Sequence, residues 1–364
     1  MHQDPENILS VADNFVTSTK PLSVVPVKTG HINDSYFIYP GGNDPAFVLQ
    51  RINHAVFRDV DGLMSNISRV LKHLEQKDLS AYGLVPLRVI PDRNGHAYYQ
   101  DAEGNYWRMY NYIPGSVSYD LISDPTLARE AGKAFGTFQL LTSDLNGAGL
   151  VETIPDFHNI STRLKTFRET VERDPEQRVA ETEEEIRFVE DRAKEMHSIL
   201  NLGASGKIPV RVTHNDTKIN NILFNAEGKA LCIVDLDTVM PGYSLYDFGD
   251  AIRTGTSAAA EDEEDLSKVD IRMDLFSAYS EGYLSAARQF LVREETDNLA
   301  CSARFMTFLI GLRFLTDYLG GDHYYRIRFK THNLVRARSQ FRLVSRMEER
   351  SKQMEKIILQ LSSV

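Results

Sequence analysis

His214-Asn215-Asp216-Thr217-Lys218-Ile219-Asn220-Asn221-Ile222-Leu223 is followed within one short hairpin's length by Cys232-Ile233-Val234-Asp235-Leu236-Asp237. The first run has the form H-x-D-x-K-x-x-N. The second is an apolar strand signal that ends in a carboxylate. In metal-assisted phosphoryl transfer one carboxylate orients the acceptor hydroxyl, while an amide oxygen and a second carboxylate hold the cation. The pattern therefore points to Asp216 as the base and to Asn221 and Asp235 as the Mg²⁺ ligands, since Mg²⁺ takes oxygen ligands. Asp237 falls two residues after Asp235. The two share a strand face, since side chains repeat every two residues, so Asp237 is a second ligand or an orienting group, ranked behind Asp235 because Asp235 ends the apolar run Ile233-Val234. Lys218, two residues after Asp216, is a candidate catalytic cation able to offset charge on the transferring group. His214 reads as structural, a side chain that holds the loop.

A literal Asp247-Phe248-Gly249 lies farther along, thirty-one positions after Asp216 (247 − 216), and Tyr243-Ser244-Leu245-Tyr246 precedes it instead of a strand. A metal carboxylate is expected directly after a strand close behind the catalytic loop, as Asp235 is. Asp247 and Asp250 instead read as buried braces for that loop, working with Arg253.

Outward from this motif the chain divides in character. Leu22–Val27, Ser35–Tyr39 and Ala46–Arg51 read as strands separated by turn residues. Val60–Lys77 has a helical period of apolar residues. Strands are expected again at Ala97–Gln100 and Tyr106–Ile113. After Pro114-Gly115 the pattern is helical: Leu127–Leu141, Ile160–Val171, Glu176–Leu200, Ile271–Leu291, Cys301–Leu319 and Ala337–Leu361, interrupted by short strands near Val210–Thr213 and Leu231–Leu236. The fold class expected is α+β with two lobes: a β-rich N-lobe over residues 1–113, a hinge near 110–116, and a mainly helical C-lobe over 114–364.

The N-lobe is the expected nucleotide side. Thr29–Ser35 is a turn between strands with one glycine, Gly30, facing a phosphate. Val48 and Gln50 share one strand face, Val48 toward the adenine and Gln50 toward the phosphates. Met109, Tyr110 and Tyr112 lie in the segment expected to offer backbone groups to the base.

The 364 residues suffice for two lobes and a large core. A net charge of −10 argues against nucleic-acid or anionic-membrane partners. The two cysteines, Cys232 and Cys301, make no disulfide framework, as in a reducing compartment. The N-terminus is acidic and no apolar h-region follows, and no apolar run reaches the ~18 residues of a membrane span. A cytoplasmic protein, monomeric or weakly dimeric, is expected. Histidine pairs at metal-ligand spacing and a G-x-S-x-G elbow are both missing, which removes zinc-hydrolase and serine-hydrolase readings.

These residues resemble the aminoglycoside phosphotransferase and choline kinase superfamily, whose fold is protein-kinase-like. Gly30–Asn33, Val48–Asn53, Thr213–Leu223, Ile233–Asp250 and Arg313–Leu319 together are similar to the N-acetylhexosamine 1-kinases, over nearly the whole chain. The resemblance implies ATP and Mg²⁺ as cofactors and phosphorylation of the anomeric hydroxyl of N-acetylglucosamine or N-acetylgalactosamine to the α-1-phosphate. It also implies substrate contacts from Arg313 and Tyr324, with His31 over the sugar. Arg313 has an ordinary alternative, a helix-surface pair with Asp317 one turn on. Three departures stand out. The family's H-G-D glycine is Asn215, read here as a position that need not be left-handed. The strand lysine of protein kinases is Gln50. The helix Val60–Lys77 holds no glutamate before Glu75. Arg51 or Lys28 then reaches the phosphates, or Mg²⁺ and Lys218 carry more of the neutralisation. Another small hydroxyl acceptor (choline, homoserine, methylthioribose or an aminoglycoside) stays open, because Ala259–Asp265 is acidic enough to suit a cation.

Overall fold

The computed structural model describes residues 5–27 and 32–363. It divides into two compact units, one formed by Met1–Ser118, Asp144–Pro155 and Ile222–Met240, the other by Tyr119–Ser143, Asp156–Asn221 and Pro241–Val364.

The first unit is built on a six-stranded antiparallel sheet of β1 Ser23–Pro26, β2 Asp34–Tyr39, β3 Phe47–Ile52, β4 Val89–Ile90, β5 Tyr99–Gln100 and β6 Tyr106–Asn111. The order is β1-β2-β3-β6-β4, with β5 also beside β6. Side-chain alternation gives the sheet two different faces. Ile38, Phe47, Leu49, Trp107 and Met109 pack against Ile8, Ala12 and Phe15, which come from the helix Pro5–Ala12 and the turn after it. The other face carries two cross-strand rows, Phe37–Val48–Tyr110 and Ser35–Gln50–Arg108. The second row is polar, and it is half-buried at Gln50 and fully buried at Arg108.

The expected strands and the helix Val60–Leu74 form, the helix ending three residues before the predicted Lys77. Asp59 caps its start by accepting from the Gly62 N–H at 2.9 Å. Its buried Asn66 bonds Val151 and Val239 main-chain groups, tying the 144–155 and 222–240 segments to the unit. The helix Pro5–Ala12 and the two-residue β4 are unforeseen, being too short for periodicity to show.

The second unit is helical. Pro125–Thr142 and Met273–Ala287 pack so closely that a Cβ on Gly132 would strike the Tyr279 carbonyl, and one on Gly282 the Arg129 carbonyl. Leu299–Gly320 is the central core helix. By length and composition it would suffice to cross a membrane, which the sequence reading did not anticipate, yet its most apolar window is 83% buried inside the unit. Two long helices expected from periodicity are broken. Glu176–Leu200 is split because Asp174 turns left-handed and its carboxylate accepts the Arg178 and Val179 N–H groups, diverting the chain before the helix Glu183–Arg192. Ala337–Leu361 is two helices, His332–Glu349 and Ser351–Ser362, parted at Arg350, whose guanidinium is anchored on Asp270 at 2.6 Å.

Gly132→Val or Gly282→Val is expected to cost about 2–3 kcal/mol by overpacking, read as a lowered urea midpoint. An unchanged midpoint would show that the two helices separate without penalty.

Candidate active site

The motif loop leaves the strand Arg211–Thr213 and ends in a 3₁₀ turn, Ile219–Asn221. One buried carboxylate shapes it. Asp247 accepts the His214 N–H at 2.9 Å, the Asn215 N–H at 2.7 Å and the Gln139 amide at 2.7 Å. Asp247-Phe248-Gly249 lies in the first turns of the helix Ser244–Gly255, so it is a brace, as the sequence suggested. Asp250 accepts the Thr217 N–H at 3.1 Å and is paired with Arg253 at 2.9 Å. His214 is fully buried between Phe135 and Phe138, and its Nδ1 accepts the Asp216 N–H at 3.3 Å. Asn215 corrects the sequence reading: its φ is 63°, so the position is left-handed after all. Asparagine is among the few residues besides glycine that visit this region readily, which is why it can stand where the family has glycine.

Asp216, Lys218 and Asn221 come together. The Lys218 ammonium lies 2.9 Å from one Asp216 oxygen, and the Asn221 amide donates to the other at 3.0 Å and to the Asp216 carbonyl at 2.8 Å. Burial pushes the Asp216 carboxyl upward, but the charge and hydrogen bond of Lys218, helped by His214 and Asn221, hold it below the usual range. Asp216 in turn raises Lys218. A carboxylate kept ionised and aimed by two partners suits a group that orients a hydroxyl. Because both amide hydrogens of Asn221 point at Asp216, its oxygen is directed away as an acceptor.

The first unit holds the other carboxylates, and here the alternation expected for Asp235 and Asp237 fails. The strand stops at Ile233, Asp235 is left-handed at φ 59°, and Leu236–Thr238 is a 3₁₀ turn. Asp235 is exposed, whereas Asp237 is buried. Asp237 forms an ion pair with Arg108 and accepts the Asn33 amide at 2.6 Å. Both side-chain oxygens of Asp237 thus have protein partners, and the exposed Asp235 is a hard oxygen donor of the kind Mg²⁺ takes. Burial opposes the charge on Arg108, but Asp237 keeps it firmly protonated. Arg108 was not singled out from the sequence. Its signal was there, a lone cation between Trp107 and Met109 in a strand otherwise buried.

Val48 and Gln50 share a face as expected, and Tyr110 joins them. Met109 points to the other face and fills the core, and its backbone lies between β3 and β4, paired with Leu49 and Ile90, not at an open edge as expected. The Tyr112 N–H is taken by the Ala46 carbonyl at 2.9 Å. Arg51 pairs with Asp34 on the face opposite Gln50. Gly30 and His31, like Lys28, lie outside the described residues.

Arg313 does not pair with Asp317. Asp317 instead accepts the N–H groups of His323, Tyr324 and Tyr325 at 2.8–2.9 Å and the Asn333 amide at 2.9 Å. The Arg313 guanidinium lies over the rings of Phe157 at 4.8 Å, Tyr324 at 5.3 Å and Tyr325 at 5.7 Å, with no carboxylate partner among the described residues. Arg163 is nearby; burial, then the charge of Arg313, lowers its pKa. His158 lies in the same electrostatic neighbourhood, its imidazole pushed down to about 3 by burial and by Arg313, and it bonds the Asn215 carbonyl at 3.3 Å.

A phosphotransferase enzyme family model (APH) matches residues 23–288, well over half of the chain. A microcompartment-associated aminopropanol kinase matches with a TM-score of 0.60 and 12% identity, covering 96% of this chain and 98% of the other. A spectinomycin phosphotransferase solved with ADP and spectinomycin gives 0.61 and 12%, covering 97% and 100%. An ethanolamine kinase from Plasmodium vivax gives 0.58 and 14%, covering 90% and 84%. At these identities the likeness is one of fold, a protein-kinase-like fold with an antiparallel sheet in one part and helices in the other. The chain belongs to the phosphotransferase enzyme family and is a small-molecule kinase.

Lys218→Met removes the charge that outweighs burial at Asp216, so the acidic limb of the kcat/KM profile should move to higher pH; an unmoved limb would separate Lys218 from the titration of Asp216. Asp247→Ala leaves two buried N–H donors unpaired and should cost about 3 kcal/mol, measured by chemical denaturation, with kcat falling as well.

Proposed function

We propose that this kinase transfers the γ-phosphoryl group of ATP to the anomeric hydroxyl of an N-acetylhexosamine, N-acetylglucosamine or N-acetylgalactosamine, giving the α-1-phosphate. Asp216 orients and receives the proton of that hydroxyl, and Lys218 offsets charge on the moving group. Asn221 and Asp235 would hold Mg²⁺, which would supply positive charge to neutralise the phosphates during transfer.

The observation that carries the substrate reading is Arg313. Its guanidinium has no carboxylate partner among the described residues, lies among Phe157, Tyr324 and Tyr325, and has the second cation Arg163 nearby. A neutral sugar suits this setting: hydroxyl and acetamide oxygens accept from the guanidinium, and the apolar ring face lies on the aromatics. A choline or aminoglycoside cation would meet like charge instead. Four of the five carboxylates in the acidic run that kept such substrates open are already paired, Glu261 to Arg253, Asp262 to Arg328 and His332, Glu263 and Asp265 to Lys268, and the fifth, Glu264, is exposed.

ADP release with Mg-ATP should be fastest with the two N-acetylhexosamines in a panel that includes choline, homoserine, methylthioribose and aminoglycosides. Turnover of one of the others with neither sugar accepted would overturn the assignment. Asp216→Asn should lower kcat by about 10³-fold, within the range of general-base contributions, with nucleotide affinity retained. Arg313→Met should raise the acceptor KM by about tenfold or more and leave the ATP KM unchanged.

A further inference from the structure

We propose that Arg108 is a positioning residue for the metal-binding carboxylate: through Asp237 it holds the turn that presents Asp235. The inference rests on the kinase reading above.

The strand position where protein kinases carry lysine is Gln50, which bears no charge. Its cross-strand partner is Arg108. The Arg108 Nε donates to the Gln50 Oε1 at 3.0 Å, and its Nη1 donates to the Asp237 Oδ1. The Gln50 amide donates onward to the Ser35 hydroxyl at 2.9 Å. The second Asp237 oxygen accepts from Asn33 at 2.6 Å, and the Asn33 carbonyl oxygen accepts the Asn53 N–H at 2.9 Å. The Asp237 main-chain carbonyl accepts the Thr153 hydroxyl at 2.9 Å. Asp237 is thus held at three oxygens by residues from β6, the end of the turn before β2, and the 144–155 segment, with Gln50 of β3 holding Arg108 from behind.

Asp235 lies two residues earlier, and its φ of 59° and ψ of 57° are rare for a residue with a side chain. Such a conformation persists only when the surroundings over-determine it. The clamp on Asp237 fixes the 3₁₀ turn that follows Asp235 and so fixes the direction of its carboxylate. Arg108 is only 1% exposed, so it does not itself reach a phosphate. Its effect passes through Asp237. A buried ion pair is weak evidence of a stabilising role, because an apolar pair of similar size is often as stable. That equivalence provides the test.

Calorimetric ADP affinity is measured with and without Mg²⁺ for the wild type, for Asp235→Asn and for Arg108→Met/Asp237→Leu, with melting temperatures recorded. Mg²⁺ should tighten ADP binding in the wild type, and Asp235→Asn should abolish that tightening. The apolar double variant should keep a near-normal melting temperature and metal-free ADP affinity within twofold, yet bind ADP in Mg²⁺ at least tenfold more weakly. A folded double variant with wild-type Mg²⁺ dependence overturns the proposal and leaves the kinase reading intact. If the double variant does not fold, Arg108→Lys replaces it. Lysine keeps the charge but cannot span Gln50 and Asp237 together, so Mg²⁺-dependent affinity should still fall, and unchanged affinity overturns the proposal. A wild type that binds no ADP overturns the kinase reading and the proposal together.

Discussion

The carboxylate of Asp247 is the constraint on which the catalytic loop depends. It accepts two consecutive backbone N–H groups, from His214 and Asn215, in a buried site. Two successive amides can converge on one acceptor only if the backbone turns sharply there, and the left-handed Asn215 is that turn. Once the turn is set, Asp216 emerges next to Lys218 and under the Asn221 amide. The Asp216 carboxylate is therefore aimed by a residue that makes no hydrogen bond to it.

The first unit uses the same device with different residues. Asp237 is buried with a partner at each side-chain oxygen, and Asp235, two residues earlier, is exposed and left-handed. In each unit a buried carboxylate with several partners lies close in the chain or in space to a more accessible one: Asp247 behind the loop of Asp216, Asp237 two residues after Asp235. Buried polar groups of this kind are costly when half-satisfied and rigid when fully satisfied, which favours them where a reacting group must be held still.

Much of this was legible in the chain. The H-x-D-x-K-x-x-N run identified the catalytic loop and its three polar groups, because their chemistry depends on short spacings within one loop. The demotion of Asp247 to a brace also followed, since no strand precedes it. The two faces of β3 and the core stripe of Leu299–Gly320 followed from periodicity. Three matters were misread, each because a single residue's dihedral or partner decided it. Asn215 and Asp235 are left-handed for tertiary reasons, and Asp235 breaks the alternation that would have put Asp237 beside it. The helix breaks at residues 174–182 and at Arg350 come from side chains capturing backbone groups or distant carboxylates, which no apolar period records.

The sequence by itself determined the reaction class, the catalytic loop and the order of strands before helices. These rest on local spacing and on which face of an element is apolar. Only the tertiary structure decided that Arg108 is a buried cation of the sheet, that Asp317 caps the Tyr324–Tyr325 loop, and that Arg313 lies over aromatic rings. Each is a choice of partner between residues far apart in the chain or equally close along it. Such choices are settled by which groups burial forces together and which hydrogen bonds remain to satisfy them.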